Sequence, residues 1–149
     1  MTTMLDRLLQ EYAEAHTTRG NRITHFIGVP IIMFGLFSML GALVLVPTDT
    51  FVVTGAEALI VVAVGFYLVL DWRLALAMLV IASALDIPAR LIADWRVGLV
   101  AFVVGWLLQA IGHARYEKRS PAFLRNLVQL LIGPLFLINE VLHLRTPRM

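Results

Sequence analysis

The sequence predicts an all-α integral membrane protein. It reads as four transmembrane helices, an N-terminal interfacial helix, and a C-terminal helix broken at Gly-Pro and re-entrant. Three observations predict this. Hydrophobic residues make up 60% of the 149 and charged residues 15%, against roughly 45–50% and 25% in soluble proteins. A body this small cannot bury that excess, so lipid must solvate much of it. The apolar residues are also gathered into long uncharged runs, and the basic residues collect between those runs.

One domain over 1–149 accommodates the length. No cysteine is present, which removes disulfides, thiolate metal sites and cysteine nucleophiles together. Any metal must then be held by histidine, carboxylate or water. A net charge of +2 gives no nucleic-acid surface, and the short basic segments bear on topology instead.

Residues 1–25 are polar and helical in pattern, with Leu5, Leu8, Leu9 and Tyr12 forming one apolar stripe. Acidic residues interrupt the stretch, so it does not read as a signal peptide. The first span, 26–46, is 21 uncharged residues, about 31 Å of helix. Pro47, Thr48 and Asp49 form a turn, and 52–70 makes the second span with Glu57 at its entrance. The third, 74–93, reaches span length only by running through Asp86, Pro88 and Arg90, where Asp86 and Arg90 can pair at i, i+4. The fourth covers 97–113. In the last apolar stretch, 127–144, Gly133-Pro134 should kink or break the helix, and Glu140 sits inside it.

Charge placement sets the orientation. Arg7, Arg19, Arg22, Arg73, Arg115, Lys118, Arg119 and Arg125 fall on one side, and only Arg90 and Arg96 on the other. The N-terminus is therefore expected in the cytoplasm. His16, His25 and His113 then share the cytoplasmic side. A re-entrant last helix keeps Glu140, His143, Arg145 and Arg148 there too.

The four histidines are the candidate metal ligands. A lone interfacial histidine is usually a headgroup-level residue, but three at one depth point to a site. Tyr12 and His16 are four apart, as are Asn21 and His25, so each pair shares a helix face. Gln109, His113 and Glu117 repeat that spacing at the end of the fourth span. Glu117 has two roles open to it: metal ligand, or acceptor that fixes the His113 tautomer. Glu140 and His143 have the Glu-x-x-His spacing of carboxylate di-iron bundles, but those use two such motifs and one is present. No G-x-S-x-G, P-loop, dinucleotide or H-E-x-x-H motif occurs. A haem between His25 and His113, a dinuclear metal site, and a non-enzymatic scaffold whose polar row only packs helices remain as alternatives.

At these residues the sequence resembles the Mpo1-like family. The matching stretches are YAEAHTTRGN (12–21), HFIGVP (25–30), QAIGHARYEKRSPA (109–122) and PLFLINE (134–140). The resemblance implies a small multi-span protein, in the inner membrane of a bacterium or the endoplasmic reticulum of a eukaryote, and an iron(II)-dependent dioxygenase of fatty-acid α-oxidation. Such an enzyme converts a 2-hydroxy fatty acid and O2 to the fatty acid one carbon shorter. Carried over, His16, His25 and His113 would hold Fe(2+), with Glu117 and Glu140 as carboxylates. Gln109, Tyr12 and Asn21 stand beside them as candidate catalytic residues. His143, outside the matched motifs, is a further candidate ligand. Imidazole and carboxylate without thiolate suit non-haem iron(II). Arg22 or Arg115 would neutralise the substrate carboxylate, and the acyl tail would lie between the spans, where apolar side chains replace membrane lipid.

Overall fold

The computed structural model describes residues 3–47 and 52–144. The first helix, α1 (Met4–Glu14), starts at a capping box in which Thr3 and Asp6 exchange hydrogen bonds of 2.9 and 3.2 Å. Leu5, Leu8 and Tyr12 are its buried face, as the stripe requires.

Helix α2 (Arg19–Gly41) begins before the apolar run rather than at 26, because Thr18 caps it and accepts from the Asn21 N–H at 3.4 Å. The polar residues Asn21, Arg22 and His25 are thereby helical. Instead of continuing to 46, the chain leaves the helix at Gly41. Strand β1 (Val44–Pro47) pairs antiparallel with β2 (Val52–Thr54), two strands where the sequence reading had only span and turn. Of the expected turn, Thr48 and Asp49 lie outside the described residues.

Helix α3 (Gly55–Leu70) opens with a Thr54–Glu57 capping box, placing Glu57 at the entrance. Helix α4 (Trp72–Ile92) runs through Asp86, Pro88 and Arg90. Arg90 donates to Asp86 at 2.8 Å and pairs with Glu57 as well. Helix α5 (Trp95–Ile111) passes into a π-helical turn, Gly112–Glu117, which Lys118 ends in the left-handed conformation.

Helix α6 (Gln129–Leu142) is continuous through Pro134, so the expected break at Gly133-Pro134 does not occur. Proline weakens the helical ladder one turn back. The carbonyl that loses its helical donor is that of Leu130; the Tyr67 hydroxyl of a neighbouring helix donates to the adjacent Leu131 carbonyl at 2.7 Å.

Among the described residues, three segments are long and apolar enough to cross a membrane: Arg19–Gly41, Trp72–Ile92 and Trp95–Glu117. Gly55–Leu70 and Gln129–Leu142 are shorter apolar helices. The helices turn apolar side chains outward, with Val69 86% and Leu91 81% exposed, a surface that lipid covers and water would not.

Helix α2 is the centre, packed against α3, α4 and most extensively α5. Small residues set the α2–α5 register. A Cβ built on Gly105 would stand 2.9 Å from the Gly28 carbonyl oxygen, and one on Gly98 2.8 Å from that of Gly35. At Gly112 a Cβ would instead meet the side chains of Thr24 and Asn21. The antiparallel pairs 28 with 105 and 35 with 98 lie seven residues apart on each helix, so backbones approach closely along one seam. That seam brings the start of α2 beside the end of α5.

Candidate metal centre

Each histidine reaches the site by a separate local device. His16 follows the end of α1, and its Nδ1–H donates to the Tyr12 carbonyl at 2.6 Å. The Tyr12 ring stacks on the imidazole, centroids 3.9 Å apart and planes within 10°. In α2 the His25 Nδ1–H donates to the Asn21 carbonyl at 2.8 Å. The spacing Tyr12–His16 and Asn21–His25 thus works through main-chain carbonyls. A carbonyl only accepts, so both rings carry their proton on Nδ1 and present a lone pair at Nε2.

Those two Nε2 atoms face each other at 3.0 Å. Two lone pairs at that separation repel unless a proton or another cation lies between them. Burial pushes His16 down to about 4, so at neutral pH a proton does not fill the role. His113 comes from the π turn, its ring centroid 4.8 Å from His16 and 5.0 Å from His25. One nitrogen from each of the three lies within 4.8 Å of the others. The rings are 2%, 4% and 4% exposed, and His113 Nδ1 is buried with no hydrogen-bond partner among the described residues. Three neutral imidazoles with converging lone pairs are a donor set for a transition-metal cation. A haem does not fit, because rings this close leave no room for a macrocycle between them.

Glu117 takes neither role weighed for it. Its Oε1 accepts from the Thr17 N–H (3.0 Å) and hydroxyl (2.5 Å). Its Oε2 accepts from the Thr18 N–H (3.1 Å), the Thr18 hydroxyl (2.9 Å) and Asn21 Nδ2 (3.2 Å). With both oxygens so occupied, Glu117 locks the segment that carries His16 onto the end of the π turn that carries His113. Asn21 joins this clamp and supplies the His25 acceptor.

Glu140 is likewise outside the imidazole group. It pairs with Arg22 at 2.8 Å, and Arg22 also donates to the His16 carbonyl at 2.9 Å. Arg22 is thereby committed to protein partners instead of a substrate carboxylate. Arg115 is exposed on the π turn and does not line the cavity beside the histidines. His143 is exposed at the end of α6, its ring within 3.1 Å of the Val141 carbonyl, and does not join the other three. Burial and the Glu140 charge raise the Tyr12 phenol well above its ordinary value, so it stays protonated.

A cavity of about 340 Å³ opens from the histidines, within the range of small-molecule sites. Its walls are almost wholly apolar. Gln109 lines it with a buried amide nitrogen that has no partner among the described residues. Sequence reasoning missed Thr17, Thr18 and Gln129. The first two carried no signal beyond preceding a helix. Gln129, buried at the start of α6 and donating to Glu11 at 2.9 Å, also lines the cavity; a glutamine inside an apolar run was the available clue.

Three buried histidines that could hold a metal ion, facing an apolar cavity in a helical fold with membrane-length segments, define a membrane protein with a candidate metal centre. The chain belongs to the Mpo1-like family: the family model described as "2-hydroxy-palmitic acid dioxygenase Mpo1-like" matches residues 2–145. It is similar to the 2-hydroxy-palmitic acid dioxygenase MPO1 of Saccharomyces cerevisiae, 31% identical over 135 residues, covering 88% of this chain and 75% of the relative. No solved structure matches it.

Proposed function

We propose that the chain is an iron(II)-dependent dioxygenase that shortens a 2-hydroxy fatty acid by one carbon. The observation that carries the reading is the pair of lone-pair-bearing Nε2 atoms facing at 3.0 Å where an apolar cavity begins. The homologue's substrate, a 2-hydroxy acid on a long alkyl chain, has the polarity this site requires: a chelating head and an apolar tail.

His16, His25 and His113 hold the ion. Bound iron(II) would supply the Lewis acid and the redox centre that oxidative cleavage between C1 and C2 needs. The Tyr12 and Asn21 carbonyls keep the Nδ1 protons in place, so both Nε2 lone pairs stay available. The unpartnered Gln109 amide is the donor for the substrate carboxylate, the task expected of Arg22 or Arg115. Tyr12 stays a neutral phenol stacked on His16. The apolar walls exclude water and hold the tail. In the membrane the chain makes four crossings, α3 included, with the N-terminus cytoplasmic and the unbroken α6 lying along the cytoplasmic side, where Gln129 meets Glu11 and Glu140 meets Arg22.

The test is turnover of 2-hydroxypalmitate by protein loaded anaerobically with iron(II) and then given O2. The reading predicts the acid one carbon shorter, and its loss in His25→Ala and His113→Ala variants that fold normally. Unchanged product from either variant would remove the histidines from the mechanism.

A further inference from the structure

We infer that the cavity is an acyl-chain ruler whose closed end, formed by Phe37, Ile60 and Ala82, sets the longest tail the protein accepts. The inference rests on the proposed substrate class and goes beyond it to length selection. The cavity lies along one face of α2, touching His25, Val29, Met33 and Phe37 at successive turns. From His25 to Phe37 that is about 18 Å of helix rise. An extended alkyl chain, with tetrahedral bonds of about 1.5 Å, advances about 1.25 Å per carbon, so roughly fourteen carbons fill the distance.

The far end is shut. Phe37, Ile60 and Ala82 are buried and packed with one another in a single apolar cluster that continues to Ala56 and Ala89. Beyond it, one turn from Ala82 and Ile60, stand Asp86 and Glu57, both bound to Arg90. A tail that pushed past the floor would have to strip this ion group of its partners, which apolar atoms cannot replace. The sides offer the contrasting route, because α5 packs on α2 without comparable packing on α3. A tail leaving there would reach lipid and meet no limit of length.

Substitutions at the floor separate the two paths. Ala82→Phe fills the closed end by about 4 Å, roughly three carbons, and Ile60→Ala deepens it. Equilibrium binding of a 2-hydroxy fatty acid series to the whole solubilised protein is measured by displacement of a labelled 2-hydroxy acid, corrected for acid held by the micelles. The ruler predicts near-constant binding up to a break in length, with acids several carbons longer bound at least tenfold more weakly. The break moves to shorter acids in Ala82→Phe and to longer ones in Ile60→Ala. Opposite shifts cannot come from a general folding defect, which weakens every length alike. A break that stays put in both variants, or no binding at any length, overturns the ruler. Binding with a movable break but no turnover would leave the ruler and remove the reaction; turnover with an unmoved break would do the reverse.

Discussion

His16 and His25 owe their common tautomer to carbonyls four residues earlier in the chain, and the third imidazole arrives through a carboxylate that never touches it. Glu117 gathers five donors from Thr17, Thr18 and Asn21. Glu117→Gln replaces one acceptor oxygen with a donor, so a main-chain N–H in the clamp loses its partner. The expected cost is about 1–3 kcal/mol of stability, with a ten- to hundredfold loss of iron affinity as the His16 segment loosens. Thermal unfolding and iron titration of the variant check both; wild-type affinity in a destabilised protein would mean the clamp does not position His16. The common depth of His16, His25 and His113 beside the predicted spans made them legible as a group. The clamp was not legible, since its partners are about 100 residues apart and threonines before a helix are common.

The seam between α2 and α5 is the element that turns distant sequence into one site. Glycines at 98 and 105 opposite 35 and 28 repeat every seventh residue, a pattern the sequence reading did not use. Gly105→Ala places a methyl 2.6 Å from Ile32 Cγ1 and 2.9 Å from the Gly28 oxygen. It should cost about 1–3 kcal/mol through overpacking. Gly65→Ala meets nothing within 4 Å and should add about 0.5–1 kcal/mol by restricting the unfolded chain. Thermal unfolding in one detergent compares them; equal effects would contradict the seam. Other departures from the sequence reading have local causes. Thr18 starts α2 early, and strand pairing follows where it ends. The π turn at Gly112–Glu117 widens the helix where His113 must turn toward α2. Apolar periodicity does not encode such a turn, which is typical of functional sites.

Across the whole molecule, apolar length and apolar exposure agree. Helix α4 spans about 31 Å over its 21 residues, with exposed Trp72 near one end and Trp95 just beyond the other, where indoles favour the interface. Helix content, the long apolar segments and the basic connections were all readable from composition and run length. The depth of the cavity was not, because it depends on how α2, α3 and α4 pack. The absence of cysteine makes orientation directly measurable. In intact bacterial cells an impermeant maleimide should label Val46→Cys, and should reach Arg119→Cys only after lysis; the reverse pattern would invert the proposed topology. The central claim is that three imidazoles from separate elements share one ion. Its most direct test is iron(II) stoichiometry of anaerobically purified protein. The account predicts about one iron per chain, lost in His16→Ala, His25→Ala and His113→Ala and kept in His143→Ala. Full iron in any of the first three variants, or its loss in His143→Ala, would contradict it.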